Sequence, residues 1–308
     1  MKHRHLTSLI ELSTEDILEI FDWTERLKTR VARGIREFAL QGKTVGLIFE
    51  KASMRTRVSF EVGINQLGGN SVYMDQRAIG LGTRESVKDV GRVISRYVDG
   101  IVIRTFEQEN INQLAEYATV PIINGLSDEY HPCQALADMF TIKEKLGGFE
   151  SASVAFVGDG HNVARSAALA CAKLGISFSL AAPESYGFAQ EFAGLLDGMD
   201  SRDGFSFLET RDPKEAVKNA NIVYTDTWTS MGQEEEANAR RTVFADFQVN
   251  TDLLNAAKED VLVMHCLPAH RGEEITDEVM DGPASIVYDQ AENRLHVQRA
   301  VLRLLIGS

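Results

Sequence analysis

Several short polar segments of this chain combine side chains that could bind or activate a small molecule. The first, residues 53–57 (SMRTR), follows a predicted strand and precedes a predicted helix. Backbone N–H groups at the positive end of a helix, two hydroxyls and two guanidinium groups together suit a phosphate. The segment lacks the lysine and glycines of a nucleotide P-loop, and taken alone it could equally be a basic surface turn.

The second segment, residues 131–134 (HPCQ), also lies at the start of a predicted helix. Pro132 in the first helical turn leaves His131 at the helix end, where its imidazole can donate a hydrogen bond to a carbonyl oxygen. Gln134, one turn later, can accept from an amide. In isolation the same residues could be a capping histidine and a buried glutamine.

A glycine-rich turn, residues 158–163 (GDGHNV), follows a third predicted strand and resembles a dinucleotide fingerprint. The third glycine of that fingerprint is replaced by Val163. The next strand also ends without the acidic residue that would bind a ribose, although Glu184 lies nearby. We therefore expect a tight turn that presents Asn162, and not an NAD site.

Two further segments follow predicted strands: residues 226–234 (DTWTSMGQE) and 265–268 (HCLP). Ligands of parallel α/β sheets bind beyond the carboxyl ends of the strands. Asp226 and Cys266 are therefore expected to meet over one pocket. Read singly, each could be a capped turn or a buried thiol.

The elements that must position these segments alternate between strand and helix. Short apolar runs predict strands at 44–49, 100–103, 120–123, 153–157, 177–181, 221–224 and 261–264. Helical spacing predicts helices at 13–34, 57–67, 110–117, 134–146, 164–174, 213–219, 252–257 and 291–305. This alternation is typical of parallel sheets covered by helices on both faces. The length favours two domains, with Gly147 and Gly148 as the best boundary read from the residues alone.

Charge and cysteine content exclude several classes of protein. The 45 acidic residues outnumber the 32 basic ones, and the net charge of −13 makes nucleic acid a poor partner. The three cysteines are widely spaced and match neither a disulfide framework nor a zinc pattern, which fits a reducing cytosol. No apolar run approaches the length of about 18 residues that spans a membrane, and the N-terminus lacks the apolar core of a secretory signal. We expect a cytoplasmic protein without a membrane partner.

Together, the five segments resemble the ornithine carbamoyltransferases, in which SMRTR, HPCQ, GDGHN, DTWTSMGQEEE and HCLP occur in this order and at this spacing. The resemblance covers nearly the whole chain and includes Arg104 and residues 291–294 (AENR). It implies an α/β protein of two doubly wound domains with parallel sheets, the C-terminal helix returning to the first domain. The implied bounds are 1–135 with 290–308 for the carbamoyl phosphate domain and 136–289 for the ornithine domain.

The resemblance further implies transfer of the carbamoyl group from carbamoyl phosphate to the side-chain amine of L-ornithine, giving L-citrulline and phosphate without a metal or organic cofactor. It implies catalytic roles for Arg104, His131, Asp226, Cys266 and Arg294. The implied carbamoyl phosphate site comprises Ser53, the Met54 backbone, Arg55, Thr56, Arg104, His131, Gln134, Cys266 and Arg294. The implied ornithine site comprises Asn162, Asp226, Ser230, the Met231 backbone, Cys266 and Leu267. The Leu267–Pro268 bond is expected to be cis.

The resemblance also implies assembly as a homotrimer, or a multiple of trimers, with shared active sites. A polar side chain from a neighbouring subunit usually reaches the phosphate, but Gly80 occupies the matching position here. Glycine has no side chain to make this contact across the interface, and Arg84 and Lys88 are the candidate substitutes.

Other acceptors and other classes remain as alternatives. Asp226 suits an ammonium group, whereas an aspartate enzyme would need cationic side chains for a second carboxylate. A putrescine or acylated-ornithine enzyme would be expected to alter the SMG sequence at 230–232. A non-catalytic relative and a dinucleotide-dependent oxidoreductase are the alternatives from other classes. The sequence does not distinguish citrulline synthesis from the reverse, catabolic direction.

Overall fold

The structure is a computed structural model that describes residues 4–75, 79–199, 201–230, 232 and 234–307. The chain divides into two compact units. The first unit comprises Met1–Ala137 together with Arg294–Ser308, and the second comprises Asp138–Asn293.

A four-stranded parallel sheet forms the centre of the first unit, in the order β2-β1-β3-β4. Its strands are β1 (Thr44–Phe49), β2 (Asn70–Asp75), β3 (Gly100–Arg104) and β4 (Ile122–Leu126). The helices of this part of the chain are α1 (Thr14–Ala32), α2 (Met54–Gln66), α3 (Val87–Ile94) and α4 (Gln108–Tyr117). Each strand is followed by a helix or a loop that begins at the same edge of the sheet, because all the strand pairs are parallel.

The second unit contains a five-stranded parallel sheet in the order β7-β6-β5-β8-β9. Its strands are β5 (Ser153–Val157), β6 (Ser177–Ala181), β7 (Phe207–Thr210), β8 (Ile222–Thr225) and β9 (Leu262–His265). The longer helices are α5 (Pro132–Leu146), α6 (Asn162–Leu174) and α7 (Gln190–Gly198). Shorter ones are α8 (Pro213–Val217), α9 (Ala237–Val243), α10 (Thr251–Leu254) and α11 (Asp277–Met280), with 3₁₀ turns at Glu234–Glu236 and Ala245–Phe247.

The last helix, α12 (Val287–Ile306), is shared between the units, since its residues from Arg294 onward belong to the first. The predicted fold class, two parallel α/β domains with a returning C-terminal helix, is therefore confirmed. Both α5 and α12 cross a limit of the units, α5 between Ala137 and Asp138 and α12 between Asn293 and Arg294.

Each sheet is covered by apolar residues that its strands and helices contribute. In the first unit, Ile48, Ile101 and Ile103 of the strands pack with Ile111 and Leu114 of α4. In the second, the core combines strand residues with Trp228, Phe244 and Phe247 from the region after β8. Burial of such side chains contributes roughly 1.5–3 kcal/mol each. Within the described ranges, no helix has both the length and the apolar character needed to span a membrane.

Candidate active site

In each sheet all strands run in the same direction, but the order in which the chain adds them reverses beside one central strand. β1 lies between β2 and β3, and β5 lies between β6 and β8. At such a point the segments that leave neighbouring strands diverge and open a crevice at the carboxyl ends. Residues 50–57 and 105–106 leave β1 and β3, whereas residues 158–162 and 226–230 leave β5 and β8. Three of the five predicted segments, SMRTR, GDGHN and DTWTSMGQE, thus follow strands at the reversal points, whereas HPCQ follows the edge strand β4 and HCLP follows the edge strand β9.

The SMRTR segment forms the N-terminus of α2. Ser53 is the N-cap, and its hydroxyl accepts a hydrogen bond from the Thr56 N–H at 3.3 Å. The first turn of the helix contains no acidic residue, so nothing on the helix itself neutralises its positive end. The exposed Met54 side chain points away from the core, which leaves its backbone as the part suited to binding. This local structure is the expected anion cradle.

Two arginines complete the cradle within the first unit. Arg294 Nη2 donates to the hydroxyl of the buried Thr56 at 2.7 Å, which joins the last helix to the start of α2. Arg55 contributes a buried Nε that has no hydrogen-bond partner among the described residues. Since a buried N–H donor without an acceptor is costly, this atom is suited to an anionic ligand.

Backbone pairing fixes Arg104 relative to the cradle. The N–H of Glu50, directly after β1, donates to the carbonyl of Arg104 at 2.8 Å. Arg104 ends β3, which is the neighbour of β1 in the sheet. The adjacent strands therefore bring the Arg104 position to the same edge as the SMRTR segment.

His131 immediately precedes Pro132, the first residue of α5, and its ring is buried. Burial lowers the pKa of His131 well below its usual 6.5, and the neighbouring charges of Arg294 and Arg104 lower it further. The imidazole is therefore neutral at physiological pH and can present one N–H to a carbonyl oxygen. Its electrostatic coupling to both arginines places it in the same cluster as the cradle.

The remaining residues of the HPCQ segment are buried beside His131. Gln134 is almost fully enclosed, and its backbone N–H donates to the His131 carbonyl at 3.1 Å. Burial raises the pKa of Cys133 to about 12 despite the opposing effect of Arg294, and its thiol donates to the Asn124 carbonyl. Cys133 is therefore an unreactive core thiol.

The glycine-rich turn after β5 is required by close backbone packing. A side chain at Gly160 would place its Cβ 2.7 Å from the backbone carbon of Gly187, and the Gly160 N–H donates to the Tyr186 carbonyl at 2.7 Å. Gly158 has a φ of 145°, which also favours glycine. The turn delivers the buried Asn162 to the N-terminus of α6. Both glycines thus serve the turn itself.

Asp226 and Cys266 meet, as predicted, at the ends of the neighbouring strands β8 and β9. Cys266 Sγ donates to Asp226 Oδ1 at 2.9 Å, and the same oxygen accepts from the Thr227 N–H at 2.7 Å. Burial raises the pKa of Asp226, while these two hydrogen bonds oppose the shift. With its proton directed at a carboxylate, the thiol acts as a donor.

The HCLP turn is held by two residues that were not among the predicted site residues, His265 and Glu274. The Leu267 N–H donates to His265 Nδ1 at 2.9 Å, so the ring proton must lie on Nε2, which is 2.9 Å from Glu274 Oε1. Glu274 Oε1 also accepts from the His270 N–H at 2.6 Å. These contacts support Leu267, whose φ of 60° is unusual for a residue with a side chain. The Leu267–Pro268 bond is cis, as expected.

Two predictions concern loops around the site. Ser230 lies, partly buried, at the end of the Asp226–Ser230 stretch, whereas Met231 lies outside the described residues. Gly80 has a φ of 57°, and a Cβ there would be 2.8 Å from the Cβ of Arg84. The turn at Gly80 is therefore poorly suited to a residue with a side chain.

Two groups of side chains in the described ranges have donor atoms within 4.8 Å of one another, as a metal site would require. One comprises Asp226, His265 and Cys266, and the other His270, Glu273 and Glu274. In the first group the same atoms or rings already make hydrogen bonds, from Cys266 to Asp226 and from His265 to Glu274. The arrangement is that of a polar hydrogen-bonded cluster.

Comparison with known families gives two matches, one to the N-terminal half of the chain and one to the C-terminal half. The profile of the aspartate/ornithine carbamoyltransferase carbamoyl-P binding domain matches residues 4–144. The profile of the aspartate/ornithine carbamoyltransferase Asp/Orn binding domain matches residues 150–305. Together the two profiles span nearly the whole chain.

Individual relatives are similar over their full length. An ornithine carbamoyltransferase from Syntrophus aciditrophicus is 50% identical over 305 residues, which cover 98% of this chain and 99% of the relative. The anabolic ornithine carbamoyltransferase of Pyrococcus furiosus is 48% identical over 304 residues, covering 99% and 96%. The solved structure of an ornithine carbamoyltransferase from Pyrococcus furiosus matches with a TM-score of 0.96 at 48% identity, covering 99% of this chain and 97% of that one. The chain belongs to the aspartate/ornithine carbamoyltransferase family.

Proposed function

We propose that this protein transfers the carbamoyl group of carbamoyl phosphate to the side-chain amine of L-ornithine, producing L-citrulline and phosphate. The observation that carries the proposal is a pair of polar clusters, one in each unit, at the points where the strand order of the sheets reverses. The cluster of the first unit, at the SMRTR segment, is rich in guanidinium groups and helix N–H donors. The cluster of the second unit contains the Asp226 carboxylate. The names and full-length similarity of the relatives support the same reaction.

We assign carbamoyl phosphate to the first unit. Ser53, the Met54 N–H, Arg55, Thr56 and Arg104 bind the phosphate, whose charge the helix end and the arginines offset. His131, Gln134 and Arg294 hold the carbamoyl oxygen and amide. A neutral His131 donates to the oxygen on which negative charge develops, and Arg294 supplies a permanent positive charge to stabilise it.

Ornithine is assigned to the second unit. Asp226 attracts and orients an amino group, and Asn162 and Ser230 bind the amino-acid part of the substrate, together with the Met231 backbone. The positive end of α6, where Asn162 lies, favours a carboxylate. The carbonyls and side chains of Cys266 and Leu267 complete the site.

The reaction is an addition followed by elimination. The neutral amine attacks the carbamoyl carbon, a C–N bond forms, and charge develops on the carbonyl oxygen. The C–O bond to phosphate then breaks, and one proton leaves the nitrogen for phosphate or water. Positioning of the two substrates and stabilisation of the oxyanion are sufficient sources of rate, and no covalent intermediate with the protein is required.

Three finer statements accompany this proposal. The anabolic name of the Pyrococcus furiosus relative favours citrulline synthesis within arginine metabolism. The reduced cysteines and acidic surface favour a cytoplasmic location. An exposed apolar stripe on α2, formed by Met54, Val58 and Val62, favours self-association, for which the family's trimer is the expected form.

A citrulline assay with four acceptors tests the function. Purified protein should form the carbamoylated product from carbamoyl phosphate and ornithine, and at least about a hundredfold less from putrescine, acetylornithine or aspartate, since wrong acceptors leave buried polar groups without partners. The Asp226→Asn protein serves as the matched control for contaminating activity. Product from another acceptor would reassign the substrate, and nicotinamide binding in a fluorescence titration would indicate the oxidoreductase alternative.

A further inference from the structure

A buried arginine lies beyond the segment that we assign to ornithine. Arg240 belongs to α9, ten positions after Ser230, and only 6% of the residue is exposed. Its neighbour Arg241 has a side chain that is 52% exposed. Because a guanidinium is rarely enclosed unless it is paired, the partners of Arg240 indicate what it does.

Three separate parts of the second unit are joined by this one side chain. Arg240 Nη1 donates to Asp159 Oδ2 at 2.6 Å and to the Trp228 carbonyl at 2.8 Å. Its Nε donates to Glu236 Oε2 at 3.1 Å. Asp159 lies in the glycine-rich turn after β5, Trp228 in the segment after β8, and Glu236 in the 3₁₀ turn before α9.

Two aromatic rings lie within cation–π distance of the guanidinium. The Arg240 Cζ lies 5.0 Å from the centroid of the Tyr186 ring and 6.0 Å from that of Phe244. Trp228 stacks on the same Phe244 at 5.9 Å. Planar stacking and a forked donor set are properties of arginine that lysine does not reproduce.

The partners of Arg240 lie next to residues that we assign to ornithine. Asp159 is three positions before Asn162, and Trp228 lies midway between Asp226 and Ser230. The positive end of α6 at Asn162 suits the ornithine carboxylate, but an uncompensated Asp159 carboxylate nearby would repel it. Arg240 both neutralises Asp159 and fastens the carbonyl between Asp226 and Ser230.

We propose that the Asp159–Arg240–Trp228 bridge positions the ornithine site, with Arg240 joining the turn that carries Asn162 to the segment that carries Asp226 and Ser230. The proposal rests on the assignment of ornithine to these residues. Arg240 is a positioning residue, since it acts through Asp159 and Trp228. Its loss should therefore affect the affinity for ornithine selectively.

Steady-state kinetics with each substrate varied test the bridge. Arg240→Ala should raise the KM for ornithine at least about tenfold, a fraction of what a broken buried ion pair can cost, and change the KM for carbamoyl phosphate less than about twofold. Arg240→Lys keeps the charge without the fork and should lie between wild type and alanine. Arg241→Ala, which removes an exposed side chain that contacts Glu273 and Asn238, should leave both KM values within about twofold of wild type.

A double-mutant cycle separates the bridge from a purely structural role. If Asp159 and Arg240 act as one unit, Asp159→Asn with Arg240→Ala should raise the KM for ornithine no more than the worse single change. Fully additive effects, or a lower melting temperature with an unchanged KM for ornithine, would overturn the proposal. Asn162→Ala is measured in parallel, because an unchanged KM for ornithine in that variant would instead mean that the ornithine assignment is wrong.

Discussion

Arg55 lies in the first turn of α2, and its buried Nε lacks a hydrogen-bond partner among the described residues. We expect Arg55→Gln to weaken carbamoyl phosphate binding at least thirtyfold, about 2 kcal/mol, because charge-assisted contacts are lost. Arg57→Gln on the same helix is the control, since Arg57 already pairs with Glu61 at 2.9 Å. The KM for carbamoyl phosphate and an equilibrium titration with phosphate provide the measurements. Equal affinity in wild type and Arg55→Gln would remove Arg55 from the site.

Asp226 and Cys266 are expected to differ in importance. Asp226→Asn should lower turnover far more than Cys266→Ser, because only Asp226 supplies a charge and the thiol acts as its donor. The side-chain amine of ornithine resembles lysine, with a pKa of about 10.4, so on the order of one molecule in a thousand is reactive at neutral pH. Activity at subsaturating ornithine should therefore rise between about pH 6 and 8.5. An inactive Cys266→Ser beside a near-normal Asp226→Asn would reverse the two roles.

His131 gives a pH dependence of stability whose sign follows from its lowered pKa. The unfolded chain binds a proton at His131 near pH 6.5, but the folded chain does so only at a much lower pH. Below pH 6.5 the unfolded state therefore binds more protons, and stability falls as the pH falls toward the folded pKa. We expect the melting temperature of His131→Gln to decrease less than that of wild type between pH 7.5 and 5. Parallel decreases in both proteins would contradict a neutral, buried His131.

Element by element, the sequence predicted the buried strands and missed the half-exposed ones. β1, β5 and β6 were predicted at their observed limits, since each is a continuous apolar run in a covered sheet. The missed strands β2 and β7 each form an outer edge of a sheet and carry exposed residues. Four helices were also missed: α3, α7, α9 and α11. Of these, α3 contains Gly91, which lets it approach Leu114 of α4. Because glycine is a poor helix former, Gly91 weakens the sequence signal for this helix.

The site segments were predictable for a related reason. SMRTR, GDGHN, DTWTS and HCLP each follow a strand, so the parallel topology alone brings them to the binding edges. Glu274 and Arg240 could not be found in this way, because their roles depend on contacts with His265 and with Asp159, which lies 81 positions away. A buried ion pair over such a distance has no periodic signal in one sequence.

The segment from Thr229 to Arg241 is expected to close over ornithine. Its described residues from 235 to 239 are mostly exposed, and the nearest buried aromatic anchors, Trp228 and Phe244, lie on either side of it. Arg240 fixes its far end to Asp159. Backbone amides of the described residues 229, 230 and 234–239 should therefore exchange quickly in the free protein and slow down when carbamoyl phosphate and an unreactive ornithine analogue are bound. Equal exchange in both states would exclude closure, and the strands of the same unit supply the internal reference.

On the scale of the whole molecule, net charge and exposed apolar surface have opposite effects on association between copies of the chain. A net charge of −13 keeps copies of the chain apart through long-range repulsion. Met54, Val58 and Val62 nevertheless expose a stripe at helical spacing along α2, with side chains between 37% and 73% exposed. Because this stripe lies on the helix that begins with the proposed phosphate cradle, a contact between copies at the stripe would connect assembly with phosphate binding.

We therefore expect Val58→Asp to dissociate the assembled protein, because it places a charge in the centre of an apolar contact between copies that are already acidic. Val93→Asp is the matched control, since Val93 is similarly exposed but lies on α3. Light scattering should give a smaller mass for Val58→Asp alone.

The same variant tests whether a neighbouring subunit supplies Arg84 or Lys88 in place of the contact missing at Gly80. If it does, the dissociated protein should also bind carbamoyl phosphate more weakly. Arg84→Ala or Lys88→Ala in the intact assembly should then reproduce that loss. A dissociated protein with unchanged carbamoyl phosphate affinity would show that one copy of the cradle is sufficient, whereas an unchanged mass would place the interface elsewhere.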